Sequence, residues 1–271
     1  MVAPAMTAVG PNTDSLARIT EIARAAGDAI LSIYERGIDR SHTKADGSPV
    51  TAADHAAERV ILDALSSWDA SIPVISEEAD LPPYDIRATW KRFWLVDPLD
   101  GTKEFISRNG EFTVNIALIE NGEPVLGVVY APALDVMYAA ARGLGAWRTE
   151  ANGQPTRITH TRPSAGVPLT IVESRSHGSA ELEAFLSGID VAARVRIGSS
   201  LKFCWVADGR ADIYPRLGPT MEWDVAAGDC VYRNSAVEGQ HASPLTYNKP
   251  DLRNESFIVG GPEIRATAGA A

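Results

Sequence analysis

The run Phe93-Trp94-Leu95-Val96 leads without a spacer into Asp97-Pro98-Leu99-Asp100-Gly101-Thr102. Few features constrain a fold harder. An apolar run rich in aromatic and β-branched residues is a buried strand, and here its end carries two carboxylates out of the core. Pro98 lacks the N–H that a regular ladder needs and biases Asp97 to extended backbone. A turn is therefore expected where the acids lie. Such a turn converges the Asp97 and Asp100 side chains and aims the Leu99 carbonyl the same way, and three oxygens suit a hard cation such as Mg²⁺. An ordinary Asp-rich turn at a strand end accounts for the same residues, so this segment alone leaves both readings open.

Further acids favour the cation. Val74-Ile75-Ser76 reads as a short strand ending in Glu77-Glu78. Neighbouring strand residues point to opposite faces, so Glu77 is expected inward and Glu78 in solvent. Asp224, in Gly218-Pro219-Thr220-Met221-Glu222-Trp223-Asp224, falls at a helix start, where an acid also suits the helix dipole. Thr51-x-x-Asp54 has the spacing of a capping box. Each acid has a structural explanation, but a metal-free cluster of them would force some members to protonate. With two or three Mg²⁺ it becomes a phosphoryl-transfer site. Gly101 lets backbone approach a ligand, and amides at a following helical turn would point at a phosphate. A nucleophilic Asp-x-Asp-x-Thr motif does not fit, because two residues separate Asp97 from Asp100. The spacing favours activated water over a phospho-aspartate.

Composition limits the partners. The 271 residues carry a net charge of −10, which argues against nucleic-acid binding. A small phosphorylated ligand needs its cations supplied locally. Hydrophobic content of 45% and charged content of 22% are those of a folded globular protein. No apolar stretch approaches the ~20 residues of a membrane span, and Met1–Asp14 lacks the pattern of a signal peptide. Cys204 and Cys230 lack metal spacing and are expected as buried free thiols of a reducing cytosol.

Apolar periodicity predicts helices over 14–34 and 51–68, strands at 73–76 and 93–96, and a hairpin around Asn121-Gly122. Strand-like runs follow at 136–141 and 145–148. Beyond a polar stretch, strands and helices alternate: 168–174, helix 180–188, 194–198, helix 200–209, 211–215, helix 223–234, and 257–261. The expected class is α/β, with an α+β metal-binding half over 1–155 and an α/β specificity half over 156–271.

The segments Ser76-Glu77-Glu78, Asp97–Thr102 and Trp223–Asp229, in this order and separation, resemble the inositol monophosphatase superfamily of metal-dependent, lithium-sensitive phosphatases. "DPLDGTKEF", "GEFTVNIALI", "SRSH", "GSSLKF" and "YPRLGPTMEWDVAAGD" are more narrowly similar to its 3′(2′),5′-bisphosphate nucleotidase (CysQ-type) branch. The resemblance runs from about Lys44 to about Gly239. It implies a layered αβαβα sandwich in which Glu77, Asp97, Asp100, Asp224 and the Leu99 carbonyl hold Mg²⁺. Asp54 and Thr102, with Glu77, would orient the attacking water, and Gly101 and Thr102 would hold the scissile phosphate. Arg216 stands where inositol phosphatases carry a glutamate, and a guanidinium there suits a second phosphate. Lys44, Ser176, His177, Ser200, Lys202 and Asp224 are the further substrate contacts implied, with Arg175 beside them. The implied activity is removal of the 3′-phosphate of adenosine 3′,5′-bisphosphate (PAP), and of its sulfated relative (PAPS), in sulfur metabolism. The alternatives are an inositol-phosphate or fructose-bisphosphate phosphatase, and a non-catalytic nucleotide-binding protein. A cytoplasmic enzyme is implied, with peripheral membrane association and a homodimer left open.

Overall fold

The computed structural model describes residues 8–37, 42–43, 49–151, 153–175, 180–237, 239 and 241–261. Helix α1 (Thr13–Tyr34) is capped by Asn12, whose side chain accepts from the Ser15 amide at 2.8 Å. It buries Ile19, Ile22, Ala23, Ala26 and Ile30, one face at helical spacing. A short ribbon, β1 (His42–Thr43) with β2 (Pro49–Val50), leads into α2 (Ala52–Asp69), which buries Ala53, Ala57, Ile61, Leu65 and Trp68. Then come β3 (Val74–Ser76), α3 (Tyr84–Arg87), β4 (Arg92–Asp100), α4 (Thr102–Ile106), β5 (Thr113–Glu120), β6 (Glu123–Ala131), β7 (Val136–Ala141), β8 (Gly145–Glu150) and β9 (Thr156–Ile158). These strands form one seven-stranded sheet in sequence order, antiparallel except for the parallel pair β3–β4. The hairpin at Asn121-Gly122 forms as expected, both residues taking the positive φ (53° and 79°) that matches the sheet's twist.

Strand β4 shows how the layers arise. Trp94 and Val96 pack on one face with Ile19, Ile30, Ala57 and Ile61 of α1 and α2. Phe93 and Leu95, pointing the other way, pack with Leu201, Cys204, Val231 and Tyr232. Both faces are buried, so the strand reads as a continuous apolar run and not as an alternation. The second apolar layer is supplied by β10 (Leu169–Ser174), α5 (Ala180–Leu186), β11 (Val191–Ile197), α6 (Leu201–Ala207), β12 (Ile213–Arg216), β13 (Thr220–Met221), α7 (Glu222–Asn234), β14 (Arg253–Asn254) and β15 (Phe257–Gly260). Helices α6 and α7 lie between the large sheet and a four-stranded sheet ordered β11-β10-β12-β15. Leu182 and Leu186 of α5 pack with Leu169, Ile171 and Ile213 of that smaller sheet. The result is the αβαβα sandwich, and the long elements lie where apolar periodicity puts them. Among the described helices none is long and apolar enough to cross a membrane. Both cysteines are buried and free.

Candidate active site

Strand β4 does not leave its sheet at Pro98. Asp97 pairs with Asn115 and Asp100 with Thr113, so Pro98 and Leu99 together oppose Val114 alone. This is a β-bulge, which re-aims side chains without ending the strand. Asp97 is 1% exposed, and its Oδ1 accepts from the Leu99 amide at 3.1 Å. The turn expected at Pro98 comes at Gly101 instead, with φ of 90°. A Cβ there would lie 2.2 Å from Ser199 Oγ, so the glycine is required both for its conformation and for the close approach.

Local rules deliver the other acids to the same point. Glu77 follows the end of β3, hydrogen-bonded through its amide to Val96 O at 3.1 Å beside β4. Asp224 lies in the first turn of α7 and accepts from the Met221 amide at 2.8 Å. Oxygen atoms of Glu77, Asp97 and Asp224 all lie within 4.8 Å of one another. Glu77, and not its neighbour Glu78, joins this cluster, although both lie in the turn just past β3 and not on the strand itself. Asp100 lines the same cleft. Burial first, and then the charges of Glu77, Asp100 and Asp224, push the Asp97 carboxyl well above its usual range. Asp224 is raised by burial and by Asp100. Asp100 is pushed up to about 6 by burial, against the pull of Lys202.

Asp54 closes the capping box at the start of α2. Its Oδ2 accepts from the Thr51 amide at 2.8 Å and from Thr51 Oγ1 at 2.7 Å. Its Oδ1 faces Thr102, whose Oγ1 donates at 3.4 Å, a long contact between the N-termini of α2 and α4. Burial raises Asp54, and the Thr51 bonds oppose the shift. One carboxylate thus serves a helix cap with one oxygen and the cleft with the other.

Basic groups meet the acids across the cleft. Its lining includes Glu77, Asp100, Thr102, Lys202, Arg216 and Asp224, with Gly101, Ser199, Ser200, Tyr214 and Thr220 beside them. Lys202 is 6% exposed, donates to Ser199 O, and is pulled down to about 8 by burial, with Asp100 opposing. Arg216 Nε donates to Gly218 O at 3.1 Å and its Nη2 to Pro219 O at 2.9 Å. Ser200 Oγ accepts from Asn115 Nδ2 at 3.0 Å and donates to the Asp224 carbonyl. The structure therefore brings Asp54, Glu77, Asp97, Asp100, Gly101, Thr102, Ser200, Lys202, Arg216 and Asp224 around one cleft, with Leu99 on the bulge behind it. Lys44, Ser176 and His177 lie outside the described residues. Arg175 engages Glu111, Nε to Oε2 at 2.7 Å, and is not among the cleft's lining residues.

Sequence reasoning missed Ser199 and Glu104. Ser199 has φ of 53° and its hydroxyl lies 2.8 Å from Asp100 O and 2.7 Å from Glu111 O, tying β11's end to the Asp100–Gly101 turn. Nothing in a serine marks a left-handed conformation. Glu104, 8% exposed, lines the cleft from the first turn of α4; its position next to Lys103 in a short helix carries no apolar period.

The donor set fits a hard divalent cation. It is all oxygen, anionic and converging, and the upward shifts of Asp97, Asp100 and Asp224 show carboxylates that lack enough positive charge nearby.

Residues 12–263 match the inositol monophosphatase family. The chain is 53% identical over 255 residues to the 3′(2′),5′-bisphosphate nucleotidase CysQ of Salmonella typhimurium, covering 93% of this chain and 99% of that protein. It is 49% identical over 254 residues to the enzyme of the same name from Escherichia coli, covering 91% and 97%. The crystal structure of CysQ from Bacteroides thetaiotaomicron superposes with a TM-score of 0.76 at 39% identity, covering 92% and 97%. On this match, and on the acid cluster that the fold assembles, the chain belongs to the inositol monophosphatase family.

Proposed function

We propose that this protein is a Mg²⁺-dependent phosphatase that hydrolyses the 3′-phosphate of adenosine 3′,5′-bisphosphate to give AMP and phosphate, with PAPS as a second substrate. The observation that carries the reading is one cleft lined both by carboxylates and by two cations, Lys202 and Arg216. A bisphosphate needs both. The relatives at 49–53% identity bear the name of that activity.

Glu77, Asp97, Asp100, Asp224 and the Leu99 carbonyl are the groups that would hold Mg²⁺. Bound there, the ions would offset the negative charge of the reacting phosphate and make water more acidic. The chain's own residues do the rest. Thr102 donates its hydroxyl proton to Asp54, which leaves its lone pairs to accept from a water. With Glu77 alongside, this pair orients the water in line with the 3′ phosphorus and receives its proton. The P–O3′ bond breaks as the new P–O bond forms; the ribose oxygen takes a proton from a solvent water and is released as a hydroxyl, and the Asp54–Thr102 pair returns its proton to solvent. Backbone amides at Gly101 and Thr102 face the phosphate at the start of α4. Arg216 and Lys202, with Ser200 on the α7 side, meet the second phosphate through charge-assisted hydrogen bonds. Lys44, Ser176 and His177 complete the substrate contacts in this reading. The segment 1–155 then carries most metal ligands, and 156–271 most of the specificity.

The buried free thiols support a reducing cytoplasm as its location; the homodimer rests on the resemblance alone. Phosphate release from PAP, PAPS, inositol 1-phosphate and fructose 1,6-bisphosphate, each with Mg²⁺ and with EDTA, tests the assignment. PAP turnover dependent on Mg²⁺ is expected. A preference for either sugar phosphate would overturn it.

A further inference from the structure

An ionic network around the buried Glu222 reaches the cleft through Thr220, made of residues to which the mechanism gives no role. Glu222, the first residue of α7, is 0% exposed. Its carboxylate accepts from the Asn248 amide at 2.6 Å and the Lys249 amide at 3.0 Å, and pairs with Lys249 Nζ at 2.9 Å. Lys249 Nζ also donates to Asn254 Oδ1 at 2.7 Å and to Thr246 O at 3.1 Å. Asn254 in turn pairs with Thr220 in the β13–β14 ribbon and donates to Thr220 Oγ1 at 3.3 Å. From the other side Arg87, 2% exposed, holds the same loop by donating to Asn248 Oδ1 at 3.0 Å and Lys249 O at 2.6 Å.

Thr220 lines the cleft, and it ends the short loop whose Gly218 and Pro219 carbonyls orient the Arg216 guanidinium. The path from Lys249 to the cleft is thus a chain of polar contacts with no gap. We propose that Lys249 is a positioning residue for the cationic rim: bridging Glu222 and Asn254, it holds the 217–221 loop so that Arg216 faces the substrate's second phosphate. This rests on the nucleotidase reading above. Without the ammonium the bridge between Glu222 and Asn254 is broken and the buried carboxylate loses its ion-pair partner, so the loop that carries the Arg216 acceptors is released.

The test is kinetic, on purified full-length protein with PAP and Mg²⁺. Lys249→Met should raise KM for PAP roughly 10-fold, within the range of losses seen when supporting residues are removed, with kcat changed less than about 3-fold. Lys249→Arg, which keeps the charge, should recover most of that loss. In an Arg216→Ala background Lys249→Met should raise KM less than about 2-fold, because the residue through which it acts is gone. Additive effects, or a fall in kcat at constant KM, would overturn the proposal. Asn254→Ala breaks the bridge without stranding a buried charge, so it tests the idea even if Lys249→Met does not fold; an unchanged KM for that variant also overturns it. Wild-type protein that releases no phosphate from PAP would remove the functional reading itself, a result distinct from normal turnover with unresponsive variants.

Discussion

The acid end of the cleft and its cationic rim are built on different principles. Asp54, Glu77, Asp97, Asp100 and Asp224 are each placed by a local rule: a capping box, a strand end, a bulge, a helix first turn. Arg216 and Lys202 carry no such signature. They donate to nearby carbonyls, Gly218 and Pro219 for Arg216 and Ser199 for Lys202. The loop that holds the Arg216 acceptors is tied in turn to the distant Asn254 and Lys249. The acid end also stores repulsion, since its carboxyls are held above their usual range. The two cations are instead held by those backbone carbonyls. A site of this kind separates chemistry, which needs converging anions that can take up a cation, from recognition, which needs preset donors.

The comparison breaks most visibly if an acid is neutralised. Asp97→Asn removes an anionic metal ligand and should reduce Mg²⁺-dependent PAP turnover to background. Because it also removes a desolvated charge from a crowded cluster, the variant should melt in EDTA at or above the wild-type temperature. Loss of activity with loss of stability would mean that Asp97 supports the fold. Thr102→Ala leaves the acids intact and should lower kcat by ~10²–10⁴-fold, the range for groups that assist proton transfer, with KM little changed. A kcat within twofold of wild type would reduce Thr102 to a helix-start residue.

The rim is expected to respond differently. Arg216→Glu replaces attraction with repulsion at one charge-assisted contact, which is worth roughly 1.5–3 kcal/mol. Its kcat/KM for PAP should fall at least ~10-fold, while inositol 1-phosphate, with no second phosphate, is little affected. Equal losses on both substrates would show that Arg216 maintains the loop and does not read the ligand.

The same division explains what the sequence could disclose. Long elements announced themselves through period or an unbroken apolar run: Ile19 to Ile30 at helical spacing for α1, Phe93 to Val96 without interruption for β4. The short ones (α3, α4, β1–β2, β13–β14 and β9) hold too few residues for any period to emerge. The acids were legible because each coincides with a turn or cap signature readable within about four residues. Pro98 signalled an interruption, but a bulge and a turn share that signal, and pairing with Val114 decided between them. Lys202 and Arg216 were reached only through resemblance, since a lone cation in a helix or at a strand end has no local mark. Ser199, Thr220, Glu222 and Lys249 escaped altogether, because their roles are defined by partners 20 to 100 positions away.

The last difference between the two ends should appear in stability against pH. Asp100 has its folded pKa raised from 3.8 to about 6, and burial likewise raises Asp97 and Asp224 well above their usual range. Without metal, the folded state therefore holds protons that the unfolded chain has already released. The contribution of these groups is present below about pH 4 and is lost as pH rises through their folded values. Burial lowers His160, and takes His241 to about 4, so these imidazoles act in the opposite sense, destabilising as pH falls. A melting curve in EDTA alone mixes the two. The gap between melting temperatures with Mg²⁺ and with EDTA isolates the acids, because metal binding needs them deprotonated and the imidazoles are no part of the cluster. At pH 5 the gap should be close to zero. At pH 7.5, with Mg²⁺ near 100 times its Kd, binding adds about 2.7 kcal/mol, or roughly 5–10 °C for a chain of this size. Asp100→Asn should shrink that gap at pH 7.5, whereas Arg216→Ala, which removes no metal ligand, should leave it largely intact. A gap independent of pH, or one that Arg216→Ala abolishes, would mean that the two ends form one electrostatic unit.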